Sequence, residues 1–329
     1  MSPAEPLEPG TRFVDEIREQ PAALRRLLEH DAEIARIAGT MRDKGTRLVR
    51  MVGHGSSDNA ASYGVYAFGL LPNWTAMRDS ITLTVHYGRP LDMTGSTVIG
   101  LSQSGRTPDV VEYVKGARRA GAFTIAVTND AGSELATAAD AAIPLAAEPE
   151  LAVAATKTYV NTLASLALLA GHVAGRGREL ADGVRGAADL MEAGIPGLER
   201  STAKLALSFS YTGRMFVIGR GVEFATAREI ALKLLETCRI AAEPLTTTDL
   251  AHGPVAALDP LFPVWSIASD DGTLSTVQEA ASRTREMGAS LVASGTAAER
   301  IKGAAFTVPV PMPEPATVSY THLTLPTKA

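Results

Sequence analysis

The sequence predicts an α/β protein built from two tandem doubly wound parallel-sheet units, each an α-β-α sandwich, behind a short helical segment. Two observations carry that expectation. Short apolar runs such as Thr97-Val-Ile-Gly-Leu101 alternate with segments of helical period, the pattern of parallel strands covered on both faces by helices. The pattern then stops, passes through two long helical segments and restarts near Arg214, with its landmarks in the same order. Val52-Gly-His-Gly55 matches Ile218-Gly-Arg-Gly221, and Ser102, Gly105 and Gly121-Ala122 match Ser269, Gly272 and Gly288-Ala289. Gly55 to Ser102 is 47 residues and Gly221 to Ser269 is 48, while Ser102–Gly121 and Ser269–Gly288 both span 19. Agreement at several ordered landmarks favours duplication over chance spacing of glycines.

In chain order, the first 45 residues read as helix, with Leu24, Leu27 and Leu28 at helical spacing. Arg47–Gly53 reads as a strand, Ser57–Leu71 as a helix, Thr97–Leu101 as a strand, Pro108–Ala120 as a helix and Phe123–Val127 as a strand. Two helices follow, near Ala155–Gly175 and Glu179–Leu198. In the second unit Arg214–Gly219, Val264–Ala268 and Ala289–Ala293 read as strands, and Glu223–Cys238 and Thr273–Met287 as helices. The expected division is residues 1–45 helical, 46–190 first unit, 200–316 second unit and 317–329 an unstructured or foreign tail, because repeated prolines leave no period there.

The composition narrows the class. Of 329 residues 46% are apolar, enough for two packed cores, and the formal charge is −5. An acidic balance argues against a broad nucleic-acid surface, although a local site can still hold a small anion. The single cysteine, Cys238, forms neither an intrachain disulfide nor a multi-cysteine metal site. No metal or cofactor is expected, and a cytoplasmic setting is. The first residues, MSPAEPLEPGTRF, lack the pattern of a signal peptide. The longest apolar stretch, Leu163–Ala174, is too short to span a bilayer and reads as a buried helix.

The strongest local signal is Leu101-Ser-Gln-Ser-Gly-Arg-Thr-Pro-Asp109, between a strand and a helix. Thr107 suits an N-cap and Pro108 the first helical position. A helix start offers unpaired N–H groups and partial positive charge. Gly105 allows close backbone approach, and Ser102, Ser104 and Thr107 add hydroxyls. That makes a phosphate cradle without a lysine; taken alone, the same residues equally describe a capped turn whose serines satisfy the backbone. Gly53-His-Gly-Ser-Ser-Asp-Asn59 is a second such turn. With Asp58 where a dinucleotide fingerprint has its third glycine, it points away from a nucleotide. Two hydroxyl-rich turns at the carboxyl ends of neighbouring strands fit a small polyol phosphate.

Ser102-Gln-Ser-Gly-x-Thr107 after a strand, together with Gly53-x-Gly-Ser-Ser57, resembles the sugar-isomerase (SIS) family. Further segments resemble the isomerase half of glucosamine-6-phosphate synthases: Glu16-Ile-Arg-Glu-Gln-Pro21, Glu150-Leu-Ala-Val-Ala-Ala-Thr-Lys157, Ala231-Leu-Lys-Leu-Leu-Glu-Thr-Cys238 and Asp249-Leu-Ala-His-Gly-Pro254. The resemblance covers roughly residues 12–312. It implies that Ser102, Gln103, Ser104 and Thr107 hold phosphate, and that Gly55, Ser56, Ser57, Val153 and Ala155 line the sugar. It implies that Glu236 moves a proton between C1 and C2, that Lys233 lies beside it, and that His252 assists ring opening from the neighbouring subunit of a homodimer. From the residues alone, Lys233–Glu236 reads as a solvated ion pair three residues apart on one helix, and His252 as an ordinary turn histidine. His54, His86 and Lys157 read as structural or surface groups.

The resemblance implies an enzyme that binds a phosphorylated amino sugar and catalyses aldose–ketose isomerisation or deamination of a hexosamine phosphate such as glucosamine 6-phosphate or fructose 6-phosphate. The other readings are the isomerase/aminotransferase component of a synthase receiving ammonia from a separate glutaminase, a fructosamine-phosphate deglycase, or a noncatalytic sugar-phosphate sensor. Two departures from the family pattern stand out. No glutaminase domain with its nucleophilic cysteine precedes the SIS segments. The carboxyl end lacks the family's Lys-Val-Thr-like ending, since Lys328 sits in Leu-Pro-Thr-Lys-Ala. The last dozen residues therefore read as foreign to a truncated chain, whose turnover is expected to be impaired.

Overall fold

The computed structural model describes residues 10–311; the expected tail, 317–329, lies outside them. Three helices open the described chain: α1 (Thr11–Arg18), α2 (Gln20–Leu28) and α3 (Asp31–Asp43). The first unit follows as β1 (Leu48–Val52), α4 (Ser56–Leu70), β2 (Thr75–Arg78), α5 (Ile81–Val85), β3 (Ser96–Leu101), α6 (Pro108–Arg119), β4 (Phe123–Thr128), α7 (Glu134–Ala138) and β5 (Ala141–Pro144). Two long helices, α8 (Lys157–Val173) and α9 (Gly177–Ser208), lead to the second unit. That unit comprises β6 (Arg214–Ile218), α10 (Glu223–Cys238), β7 (Ala241–Leu245), α11 (Thr247–Ala251), β8 (Pro263–Ile267), α12 (Leu274–Glu286), β9 (Ser290–Gly295) and β10 (Phe306–Pro309).

Every strand pair is parallel. The sheets are ordered β2-β1-β3-β4-β5 and β10-β9-β8-β6-β7. Pairing β6 with β1, β7 with β2, β8 with β3, β9 with β4 and β10 with β5 turns the second order into the first, so the internal repeat extends to topology. The strands expected from continuous apolar runs are the central ones; every residue of β3 and β4 is buried.

Four strands lie outside that expectation, β2, β5, β7 and β10, and among the described residues they are the sheet edges. An edge is covered less completely, so its side chains need not be apolar, and β2 is simply Thr-Ala-Met-Arg with three exposed residues. Three edges hold a proline, Pro144, Pro244 and Pro309. An edge tolerates proline because the missing N–H can be turned away from the ladder.

Helix α9 runs ten residues past the expected end at Leu198, to Ser208, and carries Pro196 within it. Its apolar face, with Leu180, Val184, Ala187, Ala188, Met191 and Ile195 buried, packs on α2 and α8. That burial outweighs the single backbone hydrogen bond that proline removes. Helix α8, expected as a buried helix, is buried along its length except at His172, whose Nε2 lies 2.7 Å from an Asp31 oxygen of α3.

The opening helices also grip the segment before α8. Glu16 accepts the backbone N–H of Leu151 at 2.5 Å and that of Ala152 at 3.2 Å. Lys157, only 2% exposed, pairs with Glu19, so it is a buried structural cation rather than a surface one. Glu150 accepts the N–H groups of Thr156 and Thr158 at 2.9 and 3.1 Å, placing a carboxylate on the N-terminus of α8, where the helix dipole favours it.

Removing Glu19 leaves the Lys157 ammonium buried without its counter-charge. Glu19→Ala is expected to lower unfolding free energy by about 1–3 kcal/mol in urea titrations. The exposed control Glu29→Ala is expected to stay within about 0.5 kcal/mol.

Candidate functional site

A cavity of about 200 Å³ opens at the carboxyl ends of β1 and β3, the edge at which open α/β sheets bind ligands. The β1–α4 turn contributes His54, Ser56 and Ser57. The β3–α6 turn contributes Leu101, Ser102, Gln103, Ser104 and Thr107. Ala155 and the first turns of α8, with Thr158, Tyr159 and Thr162, close the third side. Among the described residues no lysine or arginine lines the cavity, and most of the lining side chains bear hydroxyls.

The β3–α6 turn is held from behind. The Gln103 carbonyl accepts the Asn129 N–H at 3.0 Å and the Thr128 hydroxyl at 3.2 Å. Gly105 adopts φ +63°, and a Cβ there would lie 2.1 Å from Ser133 Oγ. Glycine is therefore required by the left-handed backbone and by the close packing of Ser133 against its rear. Thr107 occupies the N-cap position of α6, yet its side chain does not cap the helix; Thr107 Oγ1 lies 2.9 Å from Ser102 Oγ. The expected cap is thus replaced by a hydroxyl pair, which leaves the leading N–H groups of α6 without a side-chain cap. Helix α4 likewise starts without one, at Gly55 (φ +57°). The N-terminus of α8, in contrast, already holds the Glu150 carboxylate. Of the helix starts around the cavity, those of α4 and α6 are the ones suited to an anion.

Behind Ser56 lies a polar seam between the two units, formed by α4 and α10. Glu229 of α10, 6% exposed, accepts Ser56 Oγ and Asn59 Nδ2, each at 2.8 Å. Its carboxyl is pushed up by burial, against the opposing pull of the Lys233 ammonium and of the Asn59 and Ser56 hydrogen bonds. Lys233, 3% exposed, reaches Glu236 at 2.7 Å, Ser56 Oγ at 3.2 Å and Glu229 at 3.3 Å. Next along the seam, Arg228 donates to Asp58 at 2.7 Å and to Ser62 at 2.5 Å.

The structure therefore gathers Ser56, Ser57, Ser102, Gln103, Ser104, Thr107 and Ala155 around one cavity. Gly55 sits at the start of α4, just behind it. Lys233 and Glu236 form a pair, but Lys233 is buried, so the pair is not the solvated one that the residues alone suggest. It touches the cavity through Ser56 and does not line it. Val153 is 97% exposed and is not among the lining residues. His252 is exposed on the turn after α11 and is not among the lining residues either.

Sequence reasoning missed Thr158, Tyr159 and Thr162, although a polar start to an otherwise apolar helix, at i, i+1 and i+4, marks one face. It also missed Glu229, one turn before Lys233. Among the described residues no cluster of three or more His, Cys, Asp or Glu could hold a metal ion, and no helix is long and apolar enough to cross a membrane.

Comparison with known proteins agrees with this architecture. The chain is 35% identical over 271 residues to the isomerising glutamine–fructose-6-phosphate aminotransferase of Aeropyrum pernix, covering 79% of this chain and 43% of that protein. It is 31% identical over 334 residues to the protein of the same name from Halobacterium salinarum, covering 91% and 52%. The chain thus spans about half the length of the curated relatives it matches. A crystal structure from Silicibacter pomeroyi, of a protein proposed to be a phosphosugar isomerase, superposes with a TM-score of 0.84 at 32% identity, covering 95% of this chain and 94% of that one. The C-terminal domain of glucosamine-fructose-6-phosphate aminotransferase from Francisella tularensis gives 0.87 at 21% identity over 99% and 95%, a likeness of fold. The SIS-domain family model matches residues 45–171 and again 208–321. Two matched segments, two sheets of one topology and a hydroxyl-lined cavity lead to one statement: this chain belongs to the SIS-domain family.

Proposed function

We propose that the chain is a sugar-phosphate enzyme of the isomerase type, which binds the phosphoryl group of a hexosamine or ketohexose phosphate in the β3–α6 turn and interconverts aldose and ketose forms. The observation that carries this reading is the cavity itself: Ser102, Gln103, Ser104 and Thr107 gathered at an uncapped helix start, with sugar-sized space between them and α8. Helix N–H groups and hydroxyls together bind a dianion without a cationic side chain. The names of the relatives and the S. pomeroyi structure point to the same substrate class.

The chemistry asks for a base that removes a carbon-bound proton and returns it one carbon along. Glu236 takes that role in this reading. Its oxygen is held at 2.7 Å by Lys233. Taking the proton from C2 of an aldose gives an enediol, or an enolamine when C2 bears nitrogen. Return of the proton to C1 gives the ketose, and hydrolysis of the C2 imine releases ammonia in the deaminating direction. His252 of a second copy, assisting ring opening, completes the set in a homodimer.

A second reading has a specific observation behind it. The relatives named as aminotransferases are about twice as long as the matched region. The matched region is the part of those aminotransferases that this chain resembles, and the second reading is an isomerase/aminotransferase unit using ammonia from a glutaminase.

Two results are expected. Glu236→Gln lowers turnover of glucosamine 6-phosphate, or of fructose 6-phosphate with ammonium, by about 10²–10⁴-fold while sugar-phosphate affinity is kept; full activity in this variant removes the base assignment. Ser104→Ala combined with Thr107→Ala weakens sugar phosphates at least about tenfold more than the free sugars in calorimetric titration; equal losses for both ligands count against the cradle.

A further inference from the structure

One ionisable cluster remains outside the chemistry above. His54 Nε2 lies 3.9 Å from Asp109 Oδ2, and His86 Nε2 lies 3.5 Å from the same oxygen. His54 belongs to the β1–α4 turn and lines the cavity. Asp109 is the second residue of α6, whose start forms the phosphate cradle, and His86 closes α5. All three side chains are roughly half exposed, with 56%, 40% and 55% of their surface open. The cluster is not arranged to hold a metal ion.

We propose that His54, with Asp109 and His86, is a proton-linked specificity element of the phosphate site: a sugar-phosphate dianion binds with uptake of a proton from solvent onto His54. This rests on the phosphate-site reading above. Among the described residues, His54 is the one in the cavity lining whose side chain can carry positive charge near neutrality. With both imidazoles neutral, the cluster presents only the Asp109 carboxylate, charge −1, to an arriving dianion. With both protonated, two cations and one carboxylate give +1. Protonation of the two imidazoles thus changes the sign of the rim.

The other charges around this turn are already matched. Arg106 pairs with Asp130, and Asp58 with Arg78 and Arg228. Glu229 and Lys233 stand behind Ser56 and hold each other. The Tyr159 phenol is pushed well up by burial and stays neutral. Glu236, the proposed base, is held by Lys233 at 2.7 Å, and of these titratable groups only Tyr159 lines the cavity with His54.

The sign is distinctive. A dianion beside His54 favours the imidazolium, so affinity rises as pH falls. The phosphate ester's own second ionisation, near about 6, works the other way, because protonation removes charge from the ligand.

The test is calorimetric titration of the full chain with fructose 6-phosphate at pH 8.5 and 6.5, in paired buffers of different ionisation enthalpy. The wild-type chain is expected to bind about three- to fourfold tighter at pH 6.5, as a shift of about one pKa unit on a single imidazole gives once the phosphate's own protonation is subtracted, with net proton uptake near pH 7. His54→Gln is expected to flatten the pH dependence to less than about twofold and to lose the uptake. A wild-type chain that binds without proton uptake overturns the inference whatever the variant does. So does a His54→Gln protein that keeps the wild-type profile. In both cases the phosphate-site reading stands, whereas failure of the wild-type chain to bind fructose 6-phosphate at either pH removes both.

Discussion

The arrangement rests on one buried carboxylate. Glu229 sits where the two units meet, and its oxygens are divided between Ser56 and Asn59 of the first unit and Lys233 of its own helix. An unpaired carboxylate in that position would cost several kcal/mol, so its partners are fixed by necessity. Because Ser56 also lines the cavity, the second unit sets the position of a residue in the first unit's site. The helices that make this contact, α4 and α10, occupy equivalent places after β1 and β6. The two copies of the repeat therefore join through the same element of each, and the polar site forms at their seam.

Duplication of the fold has not duplicated the hydroxyl-rich β3–α6 turn, the proposed anion cradle. Where the first unit reads Ser102-Gln103-Ser104-Gly105, the second reads Ser269-Asp270-Asp271-Gly272. Two carboxylates replace a glutamine and a serine, and negative charge repels a phosphate dianion. Asp270 is instead held by both guanidinium nitrogens of Arg300 at 2.6 and 2.8 Å, and Asp271 accepts the Thr273 N–H at 2.7 Å. Gly272 lacks both the positive φ and the tight rear contacts of Gly105. Its glycine is a remnant of spacing, whereas that of the first unit is a steric requirement.

The central strands and long helices were legible because each is governed by a local rule: Thr97–Leu101 by unbroken apolar character, Pro108–Arg119 by its start signal, Leu163–Val173 by its long, largely apolar run. The edge strands were not, because strand character there comes from a neighbour's unsatisfied ladder. Nothing in Thr75-Ala-Met-Arg78 announces that it pairs with Leu48–Met51. The β3–α6 turn was legible as a contiguous motif. The cavity's third wall was not, because Thr158, Tyr159 and Thr162 reach it from a helix more than fifty residues away in sequence. Glu229 was hidden for a related reason: burial distinguishes it from the solvated acids of other helices, and burial is a property of the assembled seam. The roles given to Glu236 and His252 came from resemblance, since neither lines the cavity.

The prolines of the outer strands bear on how copies of this chain meet. A parallel sheet ends in a row of open backbone donors and acceptors, which invites another strand and so invites fibrils. Pro144, Pro244 and Pro309 each delete a donor from such a row, and β2, the border strand without proline, is only four residues long. Assembly by sheet extension is thereby discouraged at both ends of both sheets. Copies of the chain are left to associate through helix faces and loops, a mode in which self-recognition depends on side chains and stays selective.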